Sequence, residues 1–102
     1  MGVKKKRTMK IKGEKVELFY IGTLAKELGR TVQCIRKWEI AGYLPQPMFK
    51  DGQGNRMYSK EQIDAIVKCA VESKIRPGYA ITNTPFQKKV WKALKELNKK
   101  YI

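Results

Sequence analysis

Apolar positions recur at two spacings along this chain, and the change from one to the other marks its elements. Between Thr8 and Tyr20 they alternate. Met9 and Ile11 lie on one side, Val16, Leu18 and Tyr20 follow on a second strand, and Lys12-Gly13-Glu14-Lys15 sits between. Period two around turn residues predicts a β-hairpin, with glycine at the first central position of a type II′ turn. Its polar edge bears Lys10, Lys12 and Lys15. The alternative is one strand from Lys15 to Tyr20 preceded by a tail. From Ile21 to Ile40 the spacing becomes helical. Leu24, Ala25 and Leu28 line one face of a first short helix, and Val32, Ile35 and Trp38 line one face of a second. Gly29 and Arg30 open the turn between them, where a positive φ is needed, and Thr31 is placed to cap the second helix. This is the residue order of a helix-turn-helix. An ordinary helical hairpin with a solvated polar face is the blander alternative.

Gly42 then ends the second helix, and Pro45 and Pro47 force extended chain. Met48 to Tyr58 predicts a second hairpin around Asp51-Gly52-Gln53-Gly54-Asn55, all turn residues, flanked by Lys50 and Arg56. A hairpin directly behind a recognition helix is a wing. Ser59-Lys60-Glu61-Gln62 has the form of a capping box. It opens a helix whose Ile63, Ile66, Val67, Ala70 and Val71 face the core, ending near Lys74 or Ile75. Tyr79 to Asn83 is a linker, and 73–84 is the expected hinge. Thr84-Pro85 starts a last helix, with Phe86, Val90, Trp91, Leu94 and Leu97 as its apolar stripe and Lys88, Lys89, Lys92, Lys95 and Lys99 around the rest. That helix either packs on its own domain, makes a dimer contact through Trp91 and Leu94, or lays a basic face on phosphate. The fold class expected is mainly α with small β-hairpins. Residues 1–20 form a basic arm and hairpin, 21–75 a winged helix-turn-helix, and 76–102 a linker and a basic amphipathic C-terminal helix.

Composition narrows the partner. Of 102 residues, 23 are Lys or Arg and 9 are Asp or Glu, a net charge of +14. The excess is uneven: residues 1–20 carry a net +5, 21–73 only +2, and 74–102 a net +7. The motif-bearing middle is nearly balanced and the ends are basic, so a polyanion is the expected partner. The first seven residues, with Lys5, Lys6 and Arg7, read as a disordered basic arm; a nuclear import signal is the other use of such a run. Cys34 and Cys69 have no metal-ligand spacing and the chain has no His, so no metal and no cofactor is expected. Two lone cysteines fit a reducing compartment, such as a cytoplasm. No apolar run approaches membrane-spanning length, and no secretory signal follows the basic start. An enzyme is the weakest reading, since no nucleophile-base spacing or phosphate-binding glycine loop occurs.

From Phe19 to about Ala70 the order of signals resembles the DNA-binding domain of the MerR superfamily. The residues that carry it are Tyr20-Ile21-Gly22-x-Leu24-Ala25, Ile35-Arg36-x-Trp38-Glu39, Gly42-Tyr43-Leu44-Pro45-x-Pro47 and Arg56-x-Tyr58-Ser59. The resemblance implies a second helix in the major groove with Gln33, Arg36 and Lys37 as readers. It also implies a wing arginine, Arg56, on the backbone, and Tyr58 buttressing the wing, with plain packing the equal alternative for Tyr58. Thr31, Arg30, Lys50 and the arm residues Lys5, Lys6 and Arg7 complete the expected DNA-binding set. Gln33, Cys34 and Lys37 depart from common family residues, so specificity does not carry over. Family activators continue into a long dimerising helix and effector domain, whereas these residues end in one separate helix. The plan therefore resembles small phage or plasmid proteins: a transcriptional regulator, with an architectural excisionase-like or terminase-small-subunit-like factor as the alternative. A homodimer or cooperative assembly on double-stranded DNA is compatible with either. A protein-interaction factor docking transcription or packaging machinery through the Trp91 helix is the reading from another class. RNA binding ranks low because no aromatic stacking platform is evident.

Overall fold

A computed structural model describes residues 6–75 and 84–101. The elements run β1 (Lys6–Ile11), β2 (Glu14–Tyr20), α1 (Ile21–Leu28), α2 (Val32–Ala41), β3 (Phe49–Lys50), β4 (Arg56–Ser59), α3 (Lys60–Glu72) and α4 (Phe86–Asn98), then a 3-10 turn at Lys99–Tyr101. The expected winged helix-turn-helix with a C-terminal helix is the observed fold. The expected N-terminal hairpin is present rather than the single strand. Its loop differs from expectation. Ile11 pairs with Glu14, which leaves Lys12 and Gly13 as the two central residues. Both have positive φ, 54° and 82°, so the turn is of the I′ kind instead of II′. Lys6 and Arg7, assigned to a disordered arm, lie in β1 opposite Phe19 and Leu18. Lys5 and the rest of the arm, and the Tyr79–Asn83 linker, lie outside the described residues.

The two hairpins merge into one antiparallel sheet in the order β1-β2-β4-β3. Pairing of Phe19 with Tyr58 and of Tyr20 with Met57 joins them. Side chains alternate across a sheet, so its two faces do different work. Phe19 and Tyr58 face the helices and enter the main core with Leu24, Ile35, Trp38, Ile63, Ile66, Phe86 and Val90. Leu18, Met57 and Phe49 face the other way and are covered by Tyr101 from the 3-10 turn. The Tyr101 ring meets Phe49 edge-on at 5.3 Å between centroids, and its hydroxyl donates to Ser59 Oγ at 2.8 Å.

The helix ends follow their sequence signals. Gly29 and Gly42 close α1 and α2 at φ 66° and 87°, and Thr31 Oγ1 accepts from Cys34 N at 3.2 Å. The capping box at α3 is complete, with Ser59 and Gln62 exchanging bonds of 2.9 and 3.1 Å. Gln62 also donates from Nε2 to Asn98 Oδ1 at 2.7 Å, so one buried amide both caps α3 and ties it to α4. The α3 stripe needs one correction: Val71 is 70% exposed, and Cys69 is buried in its stead. A core two turns long is centred on Ile63, Ile66 and Ala70, and Val71 falls beyond its edge. Burial pushes the Cys69 thiol up, as expected of a packing residue.

The C-terminal helix docks on its own domain. Phe86 and Val90 are 0% exposed and Leu94 6%, and the Phe86 ring meets Trp38 edge-on at 5.4 Å. Leu94 is thus corrected from a partner contact to a core residue. No described helix is long and apolar enough to cross a membrane.

Replacing Phe86 by Ala is expected to lower the unfolding free energy by about 3–5 kcal/mol, the cost of emptying a ring-sized site. Val71→Lys should change it by less than about 0.5 kcal/mol. Urea titration of both variants checks this; equal small effects would mean that α4 is not docked in solution.

Candidate nucleic-acid interface

The rotation of α2 about its own axis decides which residues it presents. Ile35 (0% exposed) and Trp38 (7%) point into the core. At 3.6 residues per turn the opposite face then carries Gln33, Arg36, Lys37 and Ile40, all of them exposed. Three of these are the sequence-predicted readers, and the fold brings them onto one continuous face. Ile40, at 83% exposure, was not among them. Thr31 is exposed but its hydroxyl is engaged as the cap. The Arg30 guanidinium lies 5.1 Å from the centroid of the Trp38 ring, a cation–π placement that packs the turn against α2.

The wing sits beside this face, and an ion pair holds it there. Arg56, at the start of β4, donates from Nε to Glu39 Oε2 on α2. The side chains are 25% and 8% exposed respectively, so the pair is shielded far more than a surface salt bridge and its geometry is correspondingly fixed. Arg56 therefore braces the wing against the recognition helix. Tyr58, counted in the DNA-binding set as a buttress of the wing with plain packing as the alternative, is 4% exposed and sits in the main core, as either reading expects; burial pushes its phenol up to about 12. Lys50 is exposed next to the wing turn.

The wing tip is organised by Asp51. Its Oδ1 accepts from the backbone N–H of Gln53 and of Asn55, both at 2.9 Å. Its Oδ2 accepts from Asn55 Nδ2 at 3.0 Å and from the Tyr20 hydroxyl at 3.3 Å. These donors, the Asn55 side chain foremost, lower the carboxyl from an ordinary 3.8 to about 2. Tyr20 belongs to β2, so the same carboxylate that shapes the loop also moors it to the N-terminal hairpin.

At the far end of α2, the Gly42 carbonyl accepts two side-chain donors from α4: Trp91 Nε1 at 2.8 Å and Gln87 Nε2 at 3.0 Å. Trp91 is 46% exposed. Its indole N–H is spent inside the domain, and only part of its ring is available to a partner. On the N-terminal hairpin, Lys10 and Lys15 are directly opposed across the strands and both are exposed. Like charges so placed destabilise a hairpin in isolation.

Comparison with protein families bears on this arrangement directly. Residues 19–70, just over half of the chain, match the model of the MerR HTH family regulatory proteins. The chain belongs to the MerR helix-turn-helix family. The match begins at Phe19, where β2 enters the core, and ends at Ala70, inside α3. It thus covers the helix-turn-helix, the wing and the helix beneath them, and the domain is a MerR-type DNA-binding domain. No curated protein and no solved structure matches the chain. The β1 strand and the docked α4 fall outside the matched residues.

Two features escaped the sequence reading. Glu39 was legible as part of the family pattern, but its pairing with Arg56, seventeen residues away, had no local signal. Ile40 lies outside the core-facing spacing of α2, and that was the available clue.

The Asp51 network predicts a pH dependence. A depressed carboxyl contributes order that is complete above about pH 4 and is lost as pH falls toward the folded value. The amide signals of Gln53 and Asn55 are therefore expected to titrate with a midpoint near 2 in NMR spectra; a midpoint at the ordinary carboxylate value would mean the loop is open. Breaking the brace with Arg56→Ala, which leaves Glu39 shielded and unpaired, should cost about 2 kcal/mol of stability. The double variant Arg56→Met/Glu39→Met should recover part of it in the same urea titration.

Proposed function

We propose that this protein is a sequence-specific regulator of transcription that binds double-stranded DNA through α2. The observation that carries the reading is the rigid presentation of Gln33, Arg36 and Lys37 on one exposed face, with the wing braced against that helix by Arg56 and Glu39. A guanidinium on such a face matches the paired acceptors of guanine, and an amide matches adenine. A helix of this width fits the major groove of B-DNA. Lys50 at the wing, the opposed Lys10 and Lys15 and the basic ends, including Lys5, Lys6 and Arg7, neutralise phosphates. Phosphate contacts position such a domain and supply most of its affinity, while base contacts select the site.

One domain of this size buries a modest interface, so two copies on adjacent half-sites are the natural way to reach regulatory affinity. The burial of Leu94 and the engagement of the Trp91 indole with Gly42 weaken the alternative of a protein-docking factor built on α4, because the residues proposed for that contact are used in the fold.

Selection from a random duplex library at about 150 mM salt, where non-specific binding is weakened, tests the reading. A recovered motif is the expected result, and its half-site spacing gives the number of copies bound. Binding with no motif, vanishing as salt rises, would overturn sequence-specific recognition. On the selected site, Arg36→Ala should cost about 1–3 kcal/mol. If about six phosphates are engaged, log K against log salt should slope near −5. Replacing Lys5, Lys6 and Arg7 by Gln should flatten that slope by about 2–3 and leave the motif unchanged; an unchanged slope would remove the N-terminal residues from the phosphate-binding set.

A further inference from the structure

Ile40 is the most exposed of the large apolar side chains at the described surface, at 83%, well above the half-exposed Trp91. Its position is not arbitrary. Gln33, Arg36, Lys37 and Ile40 follow the i, i+3, i+4, i+7 spacing that puts side chains on one helix face, and the row points away from Ile35 and Trp38. Among the described residues no packing covers the Ile40 side chain, and a β-branched residue is a poorer helix former than the straight-chain residues that suit an exposed helical position. The row rises about 1.5 Å per residue, so Ile40 stands about 10 Å from Gln33 along the axis. That is the length of about three base steps at 3.4 Å each. With Gln33 at one end and two cations in the middle, the surface that accommodates an apolar end is a base edge bearing a methyl group. In the major groove that edge belongs to thymine.

We propose that Ile40 is a specificity-determining residue that packs on the C5-methyl of a thymine about three base pairs from the base read by Gln33. The inference rests on the proposed binding of duplex DNA through α2. Arg36 and Lys37, one turn before Ile40, hold the helix in the groove, and their charge makes an anionic duplex the complementary occupant of this face. A second protein copy laid on the same face would have to bury both cations without an acidic partner from α2 itself, since Glu39 is engaged by Arg56. The contact excludes water from a methyl group and discriminates thymine from cytosine and from uracil.

The test is a cycle between side chain and base. Duplexes carrying the selected motif are prepared with each thymine replaced in turn by deoxyuracil, which lacks only the methyl. They are titrated with the full chain and with Ile40→Ala. An unchanged urea midpoint confirms that the variant folds, as expected for an exposed site. The expected result is one position per half-site where the replacement weakens wild-type binding about fourfold, the worth of one buried methyl group. Ile40→Ala should be insensitive to replacement at that same position. Equal losses for both proteins at every position, binding of the unmodified motif by Ile40→Ala as tight as that of the wild type, or a motif without a thymine in the α2 half would each overturn the assignment to Ile40 while leaving DNA recognition intact. Loss of self-association in Ile40→Ala without coupling to any base would likewise overturn it in favour of a contact between copies. Failure to recover any motif would instead overturn the underlying reading.

Discussion

The burial of Trp38 is the constraint on which the rest of the structure depends. Its ring is 7% exposed and meets both the Phe86 ring, edge to face, and the Arg30 guanidinium. Its own carbonyl accepts from Tyr43 N at 2.8 Å and Leu44 N at 3.3 Å as the chain leaves α2. One residue therefore fixes the rotation of the recognition helix, the approach of the inter-helix turn and the exit of the chain. Once Trp38 and Ile35 are inside, a helix of ten residues has no freedom left over which side chains it shows. The polar row of Gln33, Arg36 and Lys37 faces outward because the apolar row is held inward. Any function read from that face depends on the packing behind it.

Helix α4 completes that packing although it lies beyond the residues matched to the MerR family. Phe86 supplies the ring against Trp38, and Gln87 and Trp91 saturate the carbonyl of Gly42. A carbonyl at a helix C-terminus is one of the groups that a helix cannot satisfy by itself. Here two donors from a helix more than forty residues away perform that task. The same helix reaches α3 through Gln62 and Asn98, and its 3-10 extension reaches the base of the wing through Tyr101 and Ser59. The C-terminal helix thus links both ends of the DNA-binding motif, which gives it a structural role distinct from a free basic tail.

The wing is held by two charged contacts with different physics. The Arg56–Glu39 pair is shielded by protein and sets the angle between hairpin and helix. The Asp51 network is open to solvent and sets the shape of the loop, through donors on its own backbone and on Tyr20. Screening by salt reaches the second more readily than the first. The angle of the wing is accordingly the sturdier of its two properties, and the loop tip the more adaptable.

Local patterns determined the elements themselves. Alternation set the first hairpin, the turn residues Asp51 to Asn55 set the second, 3.6-residue spacing set the helices, and Gly29, Thr31, Gly42 and Ser59 set their ends, because each of these depends on a few neighbouring residues. The outward row of α2 was legible for the same reason, since burying Val32, Ile35 and Trp38 leaves it no other direction. What the tertiary structure alone decided were the long-range choices. The two hairpins join through Phe19 and Tyr58, Arg56 chooses Glu39, Tyr58 is buried, and Leu94 turns to its own core. Each couples residues between seventeen and about fifty positions apart, where hydrophobic area and hydrogen-bond satisfaction are summed over the whole molecule. An apolar stripe states that a helix must be covered; which surface covers it is a property of the assembled fold.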